Sequence, residues 1–157
     1  MFYTLTIEID RPRKEVVQLF DNPENLKEWQ PGFQGLEHLS GEPGTEGAKS
    51  KILYKMGKRN IEMIETIVKH NLPDEFHGTF EAQGTLNIQK NYFTELDNNR
   101  TLWTSECEFQ FSSFGLKLMA VLMPRAFKKQ SYQFMLLFKQ FAERTLPAPN
   151  DGNTSDQ

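Results

Sequence analysis

The stretch IEIDRPRKEVVQLFDNPENLKEWQPGF, residues 7–33, changes its hydrophobic rhythm more than once, and those changes decide the fold. It opens as the end of a strand: across residues 2–9, Tyr3, Leu5, Ile7 and Ile9 alternate with Thr4, Thr6 and Glu8, the period of a half-buried strand. Asp10 is placed to cap a helix with Pro12 in its first turn and Val16, Leu19 and Phe20 as its buried stripe. A second short helix begins at Asp21 or Asn22, with Pro23 and Glu24 in its first turn. It must stop before Pro31, because the residue preceding a proline is driven out of the helical region. Two short helices after a single strand cannot extend a sheet, so they cover one end of it. They deliver Trp29 to that rim with Phe33 beside it. The expectation for Trp29 is a structural plug, with a ligand gate as its second role and its indole N–H near water or a carbonyl.

Outward from that stretch, residues 33–111 read as about six antiparallel strands. GAKSKILYKM places Ser50, Ile52, Tyr54 and Met56 on one face and Lys49, Lys51 and Lys55 on the other. Gly57–Lys58 makes a tight hairpin turn into RNIEMIETIVK, NLPDE ends that strand, and DNNR at 97–100 turns into TLWTSECEFQF. From Ser112 the period becomes helical, with Leu116, Ala120, Met123, Phe127, Phe134, Phe138 and Phe141 on one face. The predicted fold is α+β: a curved antiparallel sheet of about seven strands, two short helices after the first strand, and one long C-terminal helix across the concave face. Residues 1–145 form a single domain, and the polar, Pro-containing residues 146–157 a disordered tail.

Composition agrees with an ordinary globular protein: 157 residues, 38% hydrophobic and 25% charged. Thirteen Phe is the unusual count and implies a large ring-lined interior. A net charge of −3 argues against nucleic-acid binding. Cys107 stands alone and no metal-ligand spacing occurs, so neither a disulfide framework nor a metal or other cofactor is expected. No secretory signal and no membrane-spanning run is visible, which points to the cytoplasm.

The segments IEIDRPRKEVVQLFDNPENLKEWQPGF, LSGEPGTEGAKSKI and LMPRAFKKQSYQFMLLFKQFAE, with this order of elements, resemble the START-like superfamily, in particular its polyketide cyclase/dehydrase (SRPBCC) branch. The resemblance covers roughly residues 1 to 145. It implies a helix-grip fold whose sheet and long helix enclose a cavity for an apolar or amphipathic small molecule. It carries over no catalytic motif, since relatives include carriers, sensors and cyclases.

Strand parity nominates the lining of that cavity. Closing the turn at DNNR puts Leu86, Ile88, Lys90, Tyr92 and Thr94 on one face with Trp103, Ser105, Cys107, Phe109 and Phe111. Asn87, Gln89 and Asn91 then face solvent. The Gly57–Lys58 hairpin groups Ile61, Met63, Glu65 and Ile67 with Ser50, Ile52 and Tyr54. The candidate ligand-binding set is Tyr54, Met63, Glu65, Phe76, Phe80, Lys90, Tyr92, Trp103, Ser105, Phe109, Met123 and Phe127. Glu65 and Lys90 are the charged anomalies. They either decorate the cavity as weak catalytic candidates, pair with each other, or are turned out by a bulge. FHGTF points Phe76 and Phe80 inward and His77 outward, but a two-residue turn at Gln83–Gly84 reverses this unless a bulge intervenes.

Other features read plainly. GEPGTEG, residues 41–47, precedes a strand rather than a helix and is a hairpin loop, and Cys107 among rings is an inert thiol. Leu118 and Leu122 lie opposite the buried stripe of the C-terminal helix. This predicts a homodimer contact or a covering loop, with Pro124 marking a kink or break. The basic residues Lys117, Arg125, Lys128, Lys129, Lys139 and Arg144 on this helix face solvent, an anionic membrane or an acidic partner. Function is expected to be non-catalytic binding of a lipid or polyketide-like molecule; the alternative is a cyclase or dehydratase with Glu65 as base and a tyrosine or Lys90 as proton donor.

Overall fold

In the computed structural model, which describes residues 1–145, strand β1 (Phe2–Ile9) leads into α1 (Arg13–Asp21), a 3₁₀ turn (Pro23–Asn25) and α2 (Leu26–Trp29). The tail expected over 146–157 lies outside the described residues. The opening helices are capped differently from the sequence expectation. The residue before α1 is Pro12, with no side-chain cap, and Asp10 takes no part. Asn22 is the cap that forms, its side chain accepting from the Glu24 amide at 3.0 Å, with Pro23 at the first turn. Gln30, preceding Pro31, is extended and ends α2. Gly32 then turns the chain at a φ of +78°, where a Cβ would lie 2.3 Å from the Lys55 carbonyl oxygen. Only glycine fits there.

β2 (Phe33–Ser40), β3 (Lys49–Met56), β4 (Arg59–Asn71), β5 (Glu75–Ala82), β6 (Thr85–Asp97) and β7 (Arg100–Phe111) follow as a meander. With β1 they form one seven-stranded antiparallel sheet in the order β1-β7-β6-β5-β4-β3-β2. The chain ends in α3 (Phe114–Leu122) and α4 (Pro124–Arg144). The helical run expected from Ser112 onward is thus two helices, with the expected break falling at Pro124. Met123 leaves the helical region at φ −128° and ψ 47°, and Pro124 starts the next helix because it cannot continue the previous one.

The fully packed core sits at the α1–α2 end. Ile7, Ile9, Val16, Trp29, Phe93, Trp103 and Phe138 bury one another there. The Phe20 ring is the hub, with ring centroids 5.0 Å from Phe93, 5.5 Å from Trp103 and 5.7 Å from Phe138. Two side chains fasten α4 across the sheet. The Tyr3 hydroxyl lies 2.7 Å from Ser131 Oγ and donates to the Phe127 carbonyl at 3.2 Å. Arg11 donates to the carbonyls of Ala142 (3.1 Å), Glu143 (3.2 Å) and Thr145 at the end of α4.

Candidate functional site

The concave face is read directly from the register. The β3–β4 hairpin closes on Gly57–Lys58 and pairs Ser50 with Glu65, Ile52 with Met63 and Tyr54 with Ile61. Glu65 therefore lies on the concave face. Across β5 and β6 its row continues through Phe80, Asn87 and Phe109. The next rows hold Ile67, Gly78, Gln89 and Cys107, then His70, Phe76, Asn91 and Ser105.

Here β6 departs from the sequence reading. The turn at Asn98–Asn99 pairs Asp97 with Arg100 as expected, but a bulge between Glu95 and Asp97 inserts one residue. One extra residue transfers every side chain beyond it to the other face. Asn87, Gln89, Asn91 and Phe93 consequently face inward, opposite Phe109, Cys107, Ser105 and Trp103. Lys90 and Tyr92 lie on the convex face, opposite Glu106 and Thr104, and cannot line a site between sheet and helix. The same shift settles His77. Gln83–Gly84 is a two-residue turn, yet His77 pairs with Lys90 on the convex side, and Phe76 and Phe80 point inward. His77 Nε2 lies 3.0 Å from Glu75 Oε2, its ring meets Tyr92 edge-on, and burial pushes its pKa down.

Sequence reasoning missed the amide stripe Asn87–Gln89–Asn91. Its available signal was Lys90 itself, an ammonium assigned to a ring-rich face while the alternate stripe ended in Phe93. The three amides differ in what they meet. Asn91 is buried and its Oδ1 accepts from Trp103 Nε1 at 3.0 Å. Asn87 Oδ1 is buried without a partner among the described residues.

Glu65 has no hydrogen-bond or ion-pair partner among the described residues, and burial alone pushes its carboxyl pKa upward. Part of the side chain remains accessible, so the carboxyl is poorly hydrated rather than sealed. Tyr54 is buried and its hydroxyl donates to Gln30 Oε1, while burial and the Glu65 charge raise its pKa. Ser105 is buried with its Oγ 3.6 Å from Cys107 Sγ, and burial raises the thiol pKa.

Set beside solved structures, this arrangement of sheet and helices is a known one. Zhui aromatase/cyclase from Streptomyces sp. R1128 superposes with a TM-score of 0.76 at 14% identity, covering 96% of this chain and 98% of that one. Truncated norcoclaurine synthase from Thalictrum flavum gives 0.70 at 11% identity, over 93% and 95% of the two chains. Ara h 8.0201 gives 0.70 at 14%, over 90% and 98%. The fold is the START-like helix-grip. No protein-family profile matches the sequence, and no curated protein does.

The grip differs from end to end. At the α1–α2 end it is closed by rings: Trp29 is 7% exposed and packs on Phe20 and Phe138. Its Nε1 is buried and meets no protein acceptor among the described residues, so the expected carbonyl is not there. Phe33 meets Tyr54 edge-on at 6.2 Å. Trp103 belongs to this packed end, and Phe76 meets Phe20 edge-on at 5.8 Å. Toward the other end Met63, Glu65, Phe80, Asn87, Gln89 and Phe109 are only partly buried. Of these only Phe109 borders the hollow of about 570 Å³ that opens to the surface between β7 and the helices, together with Met1, Gln110, Phe111, Lys117, Ala120, Val121 and Pro124. Phe127 packs on Phe109 and Phe111 beside it. Met123 is exposed at the helix break. No group of three metal-ligating side chains occurs among the described residues, and no helix among them is long and apolar enough to cross a membrane.

Proposed function

We propose that residues 1–145 act as one domain that binds a hydrophobic or amphipathic small molecule, a lipid or a polyketide-like ring system, between the sheet and α4. Glu65 carries the reading. It is a carboxyl with a raised pKa on the same face as Ile52, Met63 and Phe80, and it has no partner among the described residues. A core built only for stability gains nothing from such a group, since burying it unpaired is costly. A site for an apolar ligand with one or two polar groups needs it, because a few convergent polar atoms in an apolar lining orient the ligand. The unpartnered Asn87 Oδ1, two strands from Glu65, supports the same reading. Met63, Phe80 and Phe109 supply its apolar walls, with Tyr54, Phe76, Ser105 and Phe127 at the margins. Trp29 and Phe33 plug the far end.

The test is native mass spectrometry of freshly purified protein, followed by titration with an environment-sensitive apolar dye. A co-purified apolar mass, and dye affinity altered by Glu65→Gln and Asn87→Ala, are expected. No adduct together with dye binding indifferent to both variants overturns the reading.

A catalytic reading is favoured by one observation, the unpartnered carboxyl with its raised pKa, which suits a general base near neutral pH. Norcoclaurine synthase, which shares the fold, has been solved with dopamine and hydroxybenzaldehyde. In a cyclase or dehydratase of this kind Glu65 takes the proton and Tyr54 is the remaining donor, since Lys90 lies on the convex face. Turnover of a ring-forming substrate that Glu65→Gln abolishes without loss of dye affinity distinguishes this reading from simple binding.

A further inference from the structure

Helix α3 turns its buried side, Leu116 and Ala120, toward the sheet and leaves the opposite side uncovered. Phe114, Leu118, Val121 and Leu122 recur at i, i+4, i+7 and i+8, so they form one outward stripe. They are exposed to 79%, 47%, 74% and 72%, and Met119 and Met123 widen the patch. Isolated exposed apolar residues are ordinary, but a contiguous stripe marks a contact surface. The stripe is also held ready. Ser113 Oγ accepts from the Leu116 amide at 3.2 Å to cap α3, and the break at Met123–Pro124 lets α3 run in its own direction.

Charge identifies the occupant. From residue 109 to residue 142 the sequence contains no Asp or Glu, in a chain whose net charge is −3. Lys117 lies within α3 and Arg125, Lys128 and Lys129 follow it at the start of α4, and all are exposed. A second copy docking on α3 by two-fold symmetry would set these cations against their own counterparts. An anionic surface takes the cations and an apolar layer beneath it takes the stripe, which is the form of a helix lying in a membrane interface. The nine residues of α3 are far too few to span the hydrocarbon.

We propose that α3 and the first two turns of α4 dock this protein on anionic lipid bilayers, with Phe114, Leu118, Val121 and Leu122 entering the headgroup–acyl boundary and Lys117, Arg125, Lys128 and Lys129 meeting lipid phosphate and carboxylate groups. The hollow bordered by Val121 and Lys117 then opens beside the membrane.

The test is flotation of the full chain with vesicles of phosphatidylcholine alone and of phosphatidylcholine mixed with phosphatidylserine, alongside sedimentation velocity without lipid. The protein is expected to float with the anionic vesicles, to release them at high salt, and to sediment as a monomer. Lys128→Glu/Lys129→Glu is expected to weaken binding by about five-fold or more per residue, and Leu118→Ser/Leu122→Ser to abolish it. These side chains are exposed, and circular dichroism verifies that the variants fold. A blue shift of a Val121→Trp reporter on anionic vesicles reads insertion directly. No flotation, or flotation that neither double variant weakens, overturns the proposal. A dimer that Leu118→Ser/Leu122→Ser dissolves assigns the stripe to a second copy and overturns it equally.

Discussion

The indole Nε1 of Trp103 donates to Asn91 Oδ1 at 3.0 Å, a buried bond joining the neighbouring strands β6 and β7 on their concave face. Both side chains are nearly inaccessible, at 4% and 3%. Replacing Asn91 by Leu keeps the branched shape, with two methyl groups in place of the amide oxygen and nitrogen, and strands the indole N–H. Leaving a buried donor unsatisfied costs about 1–3 kcal/mol. Asn91→Leu should lower the urea midpoint accordingly, with an unchanged m-value.

Trp29 poses the opposite case, because its Nε1 has no protein partner among the described residues. Trp29→Phe therefore loses some ring area and no hydrogen bond, whereas Trp29→Ala empties the space between Phe20 and Phe138. Large-to-small aromatic changes of this kind cost about 3–5 kcal/mol. Thermal denaturation should place Trp29→Phe far closer to the parent than Trp29→Ala. Exchange of an apolar dye faster in Trp29→Phe at unchanged stability would instead assign Trp29 to a gate.

How far the sequence could be read depended on where information is local. The cap at Asn22, the stop at Pro31 and the tight turn at Gly57–Lys58 depend on residues within a few positions of one another, and each was legible. The β3–β4 face assignment followed, and Glu65 with it. The β6 face was not legible, because the bulge near Leu96 has no glycine or proline to announce it. Leu86, Ile88 and Tyr92 on one parity and Phe93 on the other left hydrophobicity undecided. One unannounced residue moved Lys90 and Tyr92 out of the candidate site and Asn87, Gln89 and Asn91 into the concave face.

Glu65 makes stability depend on pH. Its folded pKa lies above the ordinary 4.5 because burial penalises the carboxylate. Below that value the carboxyl is neutral in both states and costs nothing extra. As pH rises through the unfolded pKa, the unfolded chain releases the proton first, and stability falls until the pH passes the raised folded pKa. Each unit of elevation corresponds to about 1.4 kcal/mol. Glu65→Gln should remove this slope and be the more stable protein at neutral pH; equal slopes in parent and variant would show Glu65 to be well hydrated.

Arg11 binds the last carbonyls of α4, which have no partners within the helix, and places a cation at its negative end. Arg11→Ala should cost about 1–2 kcal/mol and accelerate amide exchange in the last turns of α4. Arg11→Lys restores the charge without the planar fork, so it should recover only part of the loss.

The register makes the sharpest demand on ligand binding. Asn87 faces inward with an unpartnered oxygen, whereas Lys90, three residues on, faces outward and is exposed. Asn87→Ala should change the affinity for an apolar dye or co-purified ligand by about five-fold, the effect of one hydrogen bond of about 1 kcal/mol. Lys90→Ala should leave affinity unchanged and stability within about 0.5 kcal/mol, as for an ordinary surface substitution. Titration of the two variants side by side, with denaturation as the control, separates the faces. An affinity that follows Lys90 and ignores Asn87 would mean that the ligand does not bind between the sheet and α4.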